Sequence, residues 1–145
     1  MFLFDDVDIV RTAQSLPISE LWKFLPIGYV FTIMIETPVL LVGLSPKVSF
    51  KQKLWCGAWL TACTYPIVIL VLPAIFFGSS RALYLAVAET FAPVGECFLF
   101  WLAFRSKGLL NTADWVRCLI AIVIANLASF GFGELMNRYD WFGFS

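Results

Sequence analysis

The sequence predicts an all-α integral membrane protein, a bundle of four transmembrane helices, on three observations. Of its 145 residues, 61% are hydrophobic and 14% are charged, whereas soluble domains are roughly half apolar and about a quarter charged. The apolar residues fall into four long runs. The connections between these runs are too short to hold another domain. Residues 1–145 are therefore predicted to form a single transmembrane domain.

Each apolar run is about as long as the ~20 residues that cross a hydrocarbon core of ~30 Å. The turn at Gly78-Ser-Ser-Arg81 is so short that the second and third spans must be antiparallel neighbours. The predicted spans are Ile27 to Leu44, Leu54 to Phe77, Ala82 to Phe104 and Trp115 to Met136.

Ahead of the first span, the segment from Asp8 to Leu25 is polar, with apolar residues at helical spacing. This pattern predicts a short N-terminal amphipathic segment at the membrane interface. Acidic residues stand where a signal peptide has basic ones, so we expect the first span itself to target the chain. The expected location is the cell membrane (plasma or inner), as a multi-pass protein. The apolar residues in question are Ile18, Leu21, Trp22 and Leu25.

Basic residues are unevenly divided between the two sides of the predicted bundle. Because cytoplasmic loops are enriched in Lys and Arg, six bases against four predict cytoplasmic first and third loops and external termini. The first group contains Lys47, Lys51, Lys53, Arg105, Lys107 and Arg117, and the second contains Arg11, Lys23, Arg81 and Arg138.

Charge and cysteine usage narrow the partners. Ten basic and ten acidic residues give no net charge, and therefore no polybasic surface for nucleic acid. No cofactor is predicted. The expected partners are the lipid bilayer and either further copies of the chain or a larger membrane complex. The cysteines lack CxxC spacing and the chain has no His, so they are interpreted as small buried hydrophobes, with a soft metal as a minor alternative. They are Cys56, Cys63, Cys97 and Cys118.

Carboxylates inside the apolar runs are the strongest functional signal. Glu36, Glu89 and Glu96 lie within predicted spans, and Glu134 lies just inside the end of the fourth. A charge at the bilayer centre costs at least ~2.5 kcal/mol, so such residues normally face protein or water and mark a functional path.

The depth of each polar group follows from the rise along a helix. At ~1.5 Å per residue from the side that holds both termini, Glu36 and Asn126 lie about 13 Å deep and Glu89 about 10 Å. Glu96 lies two turns beyond Glu89, about 10 Å deeper, and Glu134 lies near the surface. We therefore predict a proton or cation site at Glu36, Glu89 and Asn126, which Glu96 extends inward and Glu134 extends to an outer mouth.

Three prolines lie inside the first three spans, at Pro38, Pro66 and Pro93. Each removes a backbone hydrogen bond, kinks its helix and frees a carbonyl four residues earlier. We expect these carbonyls to complete the coordination of a cation. They belong to Met34, Ala62 and Glu89.

Two further patterns concern helix packing. The context Glu36-Thr37-Pro38 recurs loosely at Glu89-Thr90 and Pro93, which indicates either duplicated hairpins or a chance similarity. On the fourth span, small residues at four-residue intervals predict close packing against another helix, either within the bundle or in a second subunit. This stripe consists of Ala121, Ala125, Ser129 and Gly133.

The leading functional hypothesis is a small transporter or channel, active as a homo-oligomer, whose glutamates bind protons or cations. Oxygen ligands without His suit protons or hard cations better than zinc or copper. The site would be neutral when protonated and would bind a cation when deprotonated.

The alternative is a structural or accessory subunit of a larger membrane complex. The glutamates would then hold helices together through hydrogen bonds to Thr61, Thr64 and Tyr65 of the second span. An enzyme is a third hypothesis with little support, because the chain has no His and no nucleophile motif.

Overall fold

The computed structural model describes residues 18–139, and every secondary-structure element in that range is helical. Its second span is continuous: α2 runs into a π-helical segment and then into α3. The elements are α1 (Ile18–Gly43), α2 (Phe50–Pro66), the π-helical segment (Ile67–Val71), α3 (Leu72–Ile75), α4 (Arg81–Phe104), a 3₁₀ turn (Arg105–Lys107) and α5 (Thr112–Arg138).

Four of the described helical stretches are long and apolar enough to cross a membrane, as predicted. The second and fourth begin a few residues earlier than expected, because local caps fix their starts. Ser49 caps α2 in a reciprocal capping box with Gln52. The four stretches are Leu25–Gly43, Phe50–Ile75, Arg81–Lys107 and Thr112–Met136.

The predicted amphipathic segment is only partly within the described residues, since residues 8–17 lie outside them. From Ile18 onward the chain already belongs to α1, which continues unbroken to Gly43. Residues 18–25 are therefore the first turns of α1 and not a separate element. Pro26 and Pro38 lie inside this helix without ending it, because each removes only a single backbone hydrogen bond.

The four spans form a ring in the order α1, second span, α4, α5. Helix α1 packs against α2 and α5, and α4 packs against the same two neighbours from the opposite side. We call α1 with the second span the first hairpin, and α4 with α5 the second hairpin. The two are joined by a tight turn at Gly78, whose φ of 83° suits glycine.

The two ends of this ring differ. We call the end with the loops at residues 44–49 and 108–111 the loop end, and the end with the start of α1, the end of α5 and Gly78 the terminal end. The apolar core occupies the loop-end half of the bundle, where its large side chains are almost fully buried. They include Leu40, Leu44, Leu60, Phe100, Phe104 and Ile122.

Side chains tie the last turn of α1 to both hairpins at the loop end. Lys53 Nζ donates to the carbonyls of Leu41 and Leu44 at 3.1 and 2.9 Å. Arg117 Nε donates to the Gly43 carbonyl at 2.8 Å. These bonds satisfy carbonyls that the helix end leaves open.

A second tie at the loop end is an ion pair supported by a cap. Lys47 Nζ lies 2.6 Å from Asp114 Oδ2, and Ser45 Oγ donates to Asp114 Oδ1 at 2.7 Å. The amide of Asp114 in turn bonds the Asn111 side chain at 2.8 Å, which caps α5.

Small residues allow close helix approach at two interfaces. A Cβ added to Gly57 would lie 2.3 Å from Thr37 Oγ1, so α1 and α2 touch there. A Cβ added to Gly43 would lie 2.6 Å from the Ala121 Cβ, so α1 and α5 touch as well. The predicted stripe on α5 thus lies against α1 at Ala121, whereas its last member, Gly133, is exposed.

Candidate functional site

Glu36 lies in the middle of α1, with 2% of its surface exposed. Each carboxylate oxygen has a hydroxyl donor on a different helix. Thr61 Oγ1 of α2 lies 2.7 Å from Oε2, and Ser129 Oγ of α5 lies 2.7 Å from Oε1. A fully buried carboxyl group is thus hydrogen-bonded by both neighbours of its helix.

Glu96 lies in α4 with the same exposure, 2%. Thr64 Oγ1 of α2 donates to its Oε1 at 2.9 Å, and Asn126 Nδ2 of α5 donates to its Oε2 at 2.8 Å. Glu36 and Glu96 are therefore held by the same two helices, from opposite sides of the ring.

The two sets of hydrogen bonds are related by an approximate two-fold exchange of the hairpins. Each glutamate accepts one hydrogen bond from the other helix of its own hairpin, from Thr61 for Glu36 and from Asn126 for Glu96. Each also bonds a position three residues later on the other hairpin, Ser129 and Thr64 respectively.

The buried stripes that follow the two glutamates agree with this exchange. In α1 the buried residues are Glu36 and Leu40, and Leu44 follows directly after the helix. In α4 they are Glu96, Phe100 and Phe104, at the same four-residue intervals. The bonding pattern is therefore repeated between the hairpins, but it relates Glu36 to Glu96, whereas the sequence similarity had matched Glu36 with Glu89.

The predicted difference in depth between Glu36 and Glu96 was wrong. Along α2 the partner of Glu36, Thr61, precedes the partner of Glu96, Thr64. Along α5 the order is reversed, because Asn126, the partner of Glu96, precedes Ser129, the partner of Glu36. Because α2 and α5 run in the same direction, these offsets cancel, and Glu36 and Glu96 lie at one level. The estimate counted from Ile27, whereas α1 begins at Ile18.

The hydroxyl partners of Glu36 have a second acceptor each. Thr61 Oγ1 lies 2.9 Å from the Gly57 carbonyl, and Ser129 Oγ lies 3.0 Å from the Asn126 carbonyl. A hydroxyl carries one proton, so it donates either to the carboxylate or to the backbone. When Glu36 is protonated, one hydroxyl can turn to the backbone and accept from Glu36. Both protonation states of Glu36 are thus fully hydrogen-bonded.

At Glu96 only one partner can switch. Thr64 Oγ1 lies 3.2 Å from the Leu60 carbonyl and can turn towards it. The Asn126 amide nitrogen has no acceptor capacity and donates its other proton to the Ile122 carbonyl at 3.0 Å. A proton on Glu96 is therefore best accommodated on Oε1, facing Thr64.

A cavity of about 150 Å³ lies between all four spans beside these two carboxyls. The cavity lies on the terminal side of the apolar core, and the two carboxyls lie at the boundary between the core and the cavity. Hydroxyl, carboxyl and amide groups line it together with apolar side chains. Its polar lining consists of Thr32, Glu36, Thr61, Thr64, Tyr65, Glu89, Glu96, Asn126 and Ser129.

Glu89 contributes a third carboxyl group to the cavity from α4. It is half-buried, and within the described part of the chain no side chain donates a hydrogen bond to it. Glu89 is thus the cavity carboxylate that stands without a fixed partner in residues 18–139.

Glu134 does not join the other glutamates. Its Oε1 lies 2.7 Å from Arg81 Nη2 in an ion pair at the terminal end, and Glu134 does not line the cavity. Its predicted role in an outer mouth of the site stays a prediction.

In the first two spans the prolines do not turn backbone carbonyls into the cavity. The freed carbonyls there belong to Met34 and Ala62, both of which are exposed on the outer face of the bundle. The third belongs to Glu89, which lines the cavity, so the expectation for Pro93 stays a prediction. Pro66 is instead followed directly by the π-helical segment, so its effect is on the winding of the second span.

A metal site has no support in residues 18–139. No group of three or more His, Cys, Asp or Glu side chains that could hold a metal ion occurs there. The four cysteines are free thiols, two of them buried.

Some partners of the glutamates were predictable and others were not. Thr61 and Thr64 were expected as hydrogen-bond donors, and the structure confirms both. Tyr65 lines the cavity instead. Ser129 was predicted only as a small packing residue. Its position three residues after Asn126, on nearly the same face of the helix, is the signal that could have identified it as part of the site.

Comparison of the chain with protein-family models, with curated proteins and with solved structures finds no match. The site is therefore interpreted from its own geometry.

Proposed function

We propose that this chain is a small multi-pass membrane transporter in which Glu36 and Glu96 exchange protons beside a cavity that admits protons or small hard cations. The observation that carries the proposal is the switchable hydroxyl shell around both carboxyls. The proposal includes a location in the plasma or inner membrane and assembly as a homo-oligomer.

The size of the cavity supports a small substrate. Sites for drug-sized ligands occupy roughly 300–1,000 Å³, and this cavity of about 150 Å³ is well below that range. At ~30 Å³ per water in the liquid, it has room for about five waters. A proton or a small, partly hydrated cation fits this volume.

The proposed cycle uses the two states of the shell. A protonated Glu36 is neutral and donates to Thr61 or Ser129, whose own proton turns to the backbone. Loss of that proton leaves a carboxylate, both hydroxyls turn back to it, and a cation in the cavity balances the charge. Glu89, which lacks a fixed partner, is the carboxylate that a cation meets on the terminal side.

The test is flux through purified protein in liposomes loaded with a pH-sensitive dye. Glu36→Gln and Glu96→Gln remove the exchangeable proton, and each amide fits the shell because one hydroxyl can turn to the backbone and accept from it. We expect both variants to remain folded and to lose flux, whereas Pro38→Ala loses less.

Thr90→Val is the matched control, because the Thr90 hydroxyl is exposed on α4 and bonds only the Ala86 carbonyl. We expect it to transport normally. Flux at the wild-type level in folded Glu36→Gln and Glu96→Gln proteins would contradict the proposal.

A second function, an accessory subunit of a larger complex, is favoured by the fact that every oxygen of Glu36 and Glu96 already has a donor within the chain. On this alternative the glutamates only join helices. It predicts co-purification in a large hetero-complex and no flux from the isolated wild-type protein. The mass of the particle purified in detergent distinguishes the two.

A further inference from the structure

A cleft of about 310 Å³ lies at the loop end, between the start of α2 and the end of α4. It is separate from the cavity that holds the glutamates. Lys51 of α2 and Lys107 of the 3₁₀ turn after α4 stand on its rim, and Trp55, Trp59 and Phe104 form its wall.

Three of the six bases at the loop end already bond protein oxygens. Lys47 pairs with Asp114, while Lys53 and Arg117 bond the last carbonyls of α1. Within residues 18–139 no acidic side chain pairs with the other three, and of these Lys51 and Lys107 line the cleft whereas Arg105 does not. Lys107 Nζ lies only over the Phe104 ring, 4.4 Å from its centroid. The rim of the cleft thus carries uncompensated positive charge.

The wall of the cleft is apolar, and Trp55 is its exposed part, whereas Phe104 belongs to the buried core. Trp55 is 68% exposed although it lies in a candidate span. Trp at a helix end is typical of the membrane interface, where its ring sits at the level of the lipid headgroups. A basic rim above an aromatic wall complements a molecule with an anionic head and an apolar tail.

We propose that this cleft binds an anionic phospholipid, with the phosphate between Lys51 and Lys107 and an acyl chain along Trp55 and Trp59. Basic pockets between transmembrane helices commonly hold such headgroups. A free phosphate does not explain the aromatic wall, which offers an anion nothing. The proposal depends on the bilayer location and is independent of transport.

The experiment is native mass spectrometry of the full chain, purified in detergent and supplied with phosphatidylglycerol or phosphatidylcholine. We expect selective retention of phosphatidylglycerol by the wild-type protein. Each base near an anionic lipid is worth about fivefold in binding. Lys51→Gln and Lys107→Gln should each weaken retention by about that factor, and the double variant by about 25-fold.

Lys23→Gln is the matched control, because it removes one charge at the terminal end and should leave retention unchanged. Equal retention of the two lipids, or undiminished retention by the double variant, would overturn the proposal. Displacement of the lipid by inorganic phosphate alone would also overturn it, in favour of a free-anion site. Since none of these readouts measures flux, failure here and failure of the transport proposal are separable.

Discussion

The first and second hairpins hold equivalent carboxyls with different side chains. Thr61 in the first occupies the place of Asn126 in the second, so a hydroxyl and an amide serve the same purpose. What the site requires is therefore a donor at that position and not a particular residue. If the match of Glu36 with Glu96 and of Thr61 with Asn126 is extended along the helices, other positions are paired as well. Among these pairs, sharper differences occur between Tyr29 and Glu89, between Gly57 and Ile122, and between Pro66 and Gly131.

These differences give the two hairpins different roles. In the first hairpin, Tyr29 donates to the Ala58 carbonyl at 2.7 Å and ties α1 to α2, and Gly57 brings the same helices into contact. In the second hairpin, Glu89 faces the cavity. The first hairpin is thus the more tightly joined, and the second supplies the additional charge.

The largest effect is expected from replacing Gly57 of the first hairpin by isoleucine, the residue at the matching position 122 of the second hairpin. Gly57→Ile places a branched side chain where a Cβ alone would lie 2.3 Å from Thr37 Oγ1. We expect a loss of about 3 kcal/mol, the upper part of the range for overpacking, measured by thermal unfolding in detergent. The control Ile122→Val should cost about 1 kcal/mol. Melting of Gly57→Ile at the wild-type temperature would show that this interface is loose.

The next effect concerns the other unequal pair. Glu89→Gln removes the carboxylate without a fixed partner, and we expect liposome flux to fall about tenfold or more, since a contact with a charged group is worth about 1.5–3 kcal/mol. Tyr29→Phe loses only its bond to Ala58, so it should lower stability by about 1 kcal/mol and preserve flux. Equal flux loss in both variants would remove the distinction between the hairpins.

The smallest effects are expected from substitutions that test whether Thr61 and Asn126 are equivalent donors. Thr61→Val should cost about 1 kcal/mol, as interhelical hydrogen bonds in membranes do. Thr61→Asn and Asn126→Thr each keep a donor at the exchanged position, so each should be less destabilising than Thr61→Val, which thermal unfolding in detergent measures. The milder exchange Thr64→Ser with Ser129→Thr should change stability by less than about 0.5 kcal/mol. A loss from Thr61→Asn as large as the loss from Thr61→Val would contradict the two-fold relation.

The existence of four spans was predictable because apolar run length depends on local sequence alone. Glu36, Glu96 and Asn126 were identified for the same reason, since a polar residue in an apolar run is visible without a structure. Which of them meet was not predictable. That depends on where α1 begins, and the apolar pattern placed its start at Ile27, whereas the helix starts at Ile18.

The assignment of bases was likewise only partly predictable. A count by loop treats Lys53 and Arg117 as solvent-facing charges, but both bond helix carbonyls. The Lys53 bond reaches back only 9 positions to Leu44, across the first loop, but a count of loop charges does not report it. The Arg117 bond reaches back 74 positions to Gly43, so no local pattern reports it. The same applies to Glu134, whose partner Arg81 lies 53 positions away.

The ties on the last turn of α1 have a consequence for movement. Lys53 reaches that turn from the first hairpin and Arg117 reaches it from the second, above a close-packed apolar core. Any rocking of one hairpin against the other would therefore have its hinge at the loop end. The widest excursion would occur at the terminal end, where the Arg81–Glu134 ion pair joins α4 to α5 and would make the second hairpin move as one body.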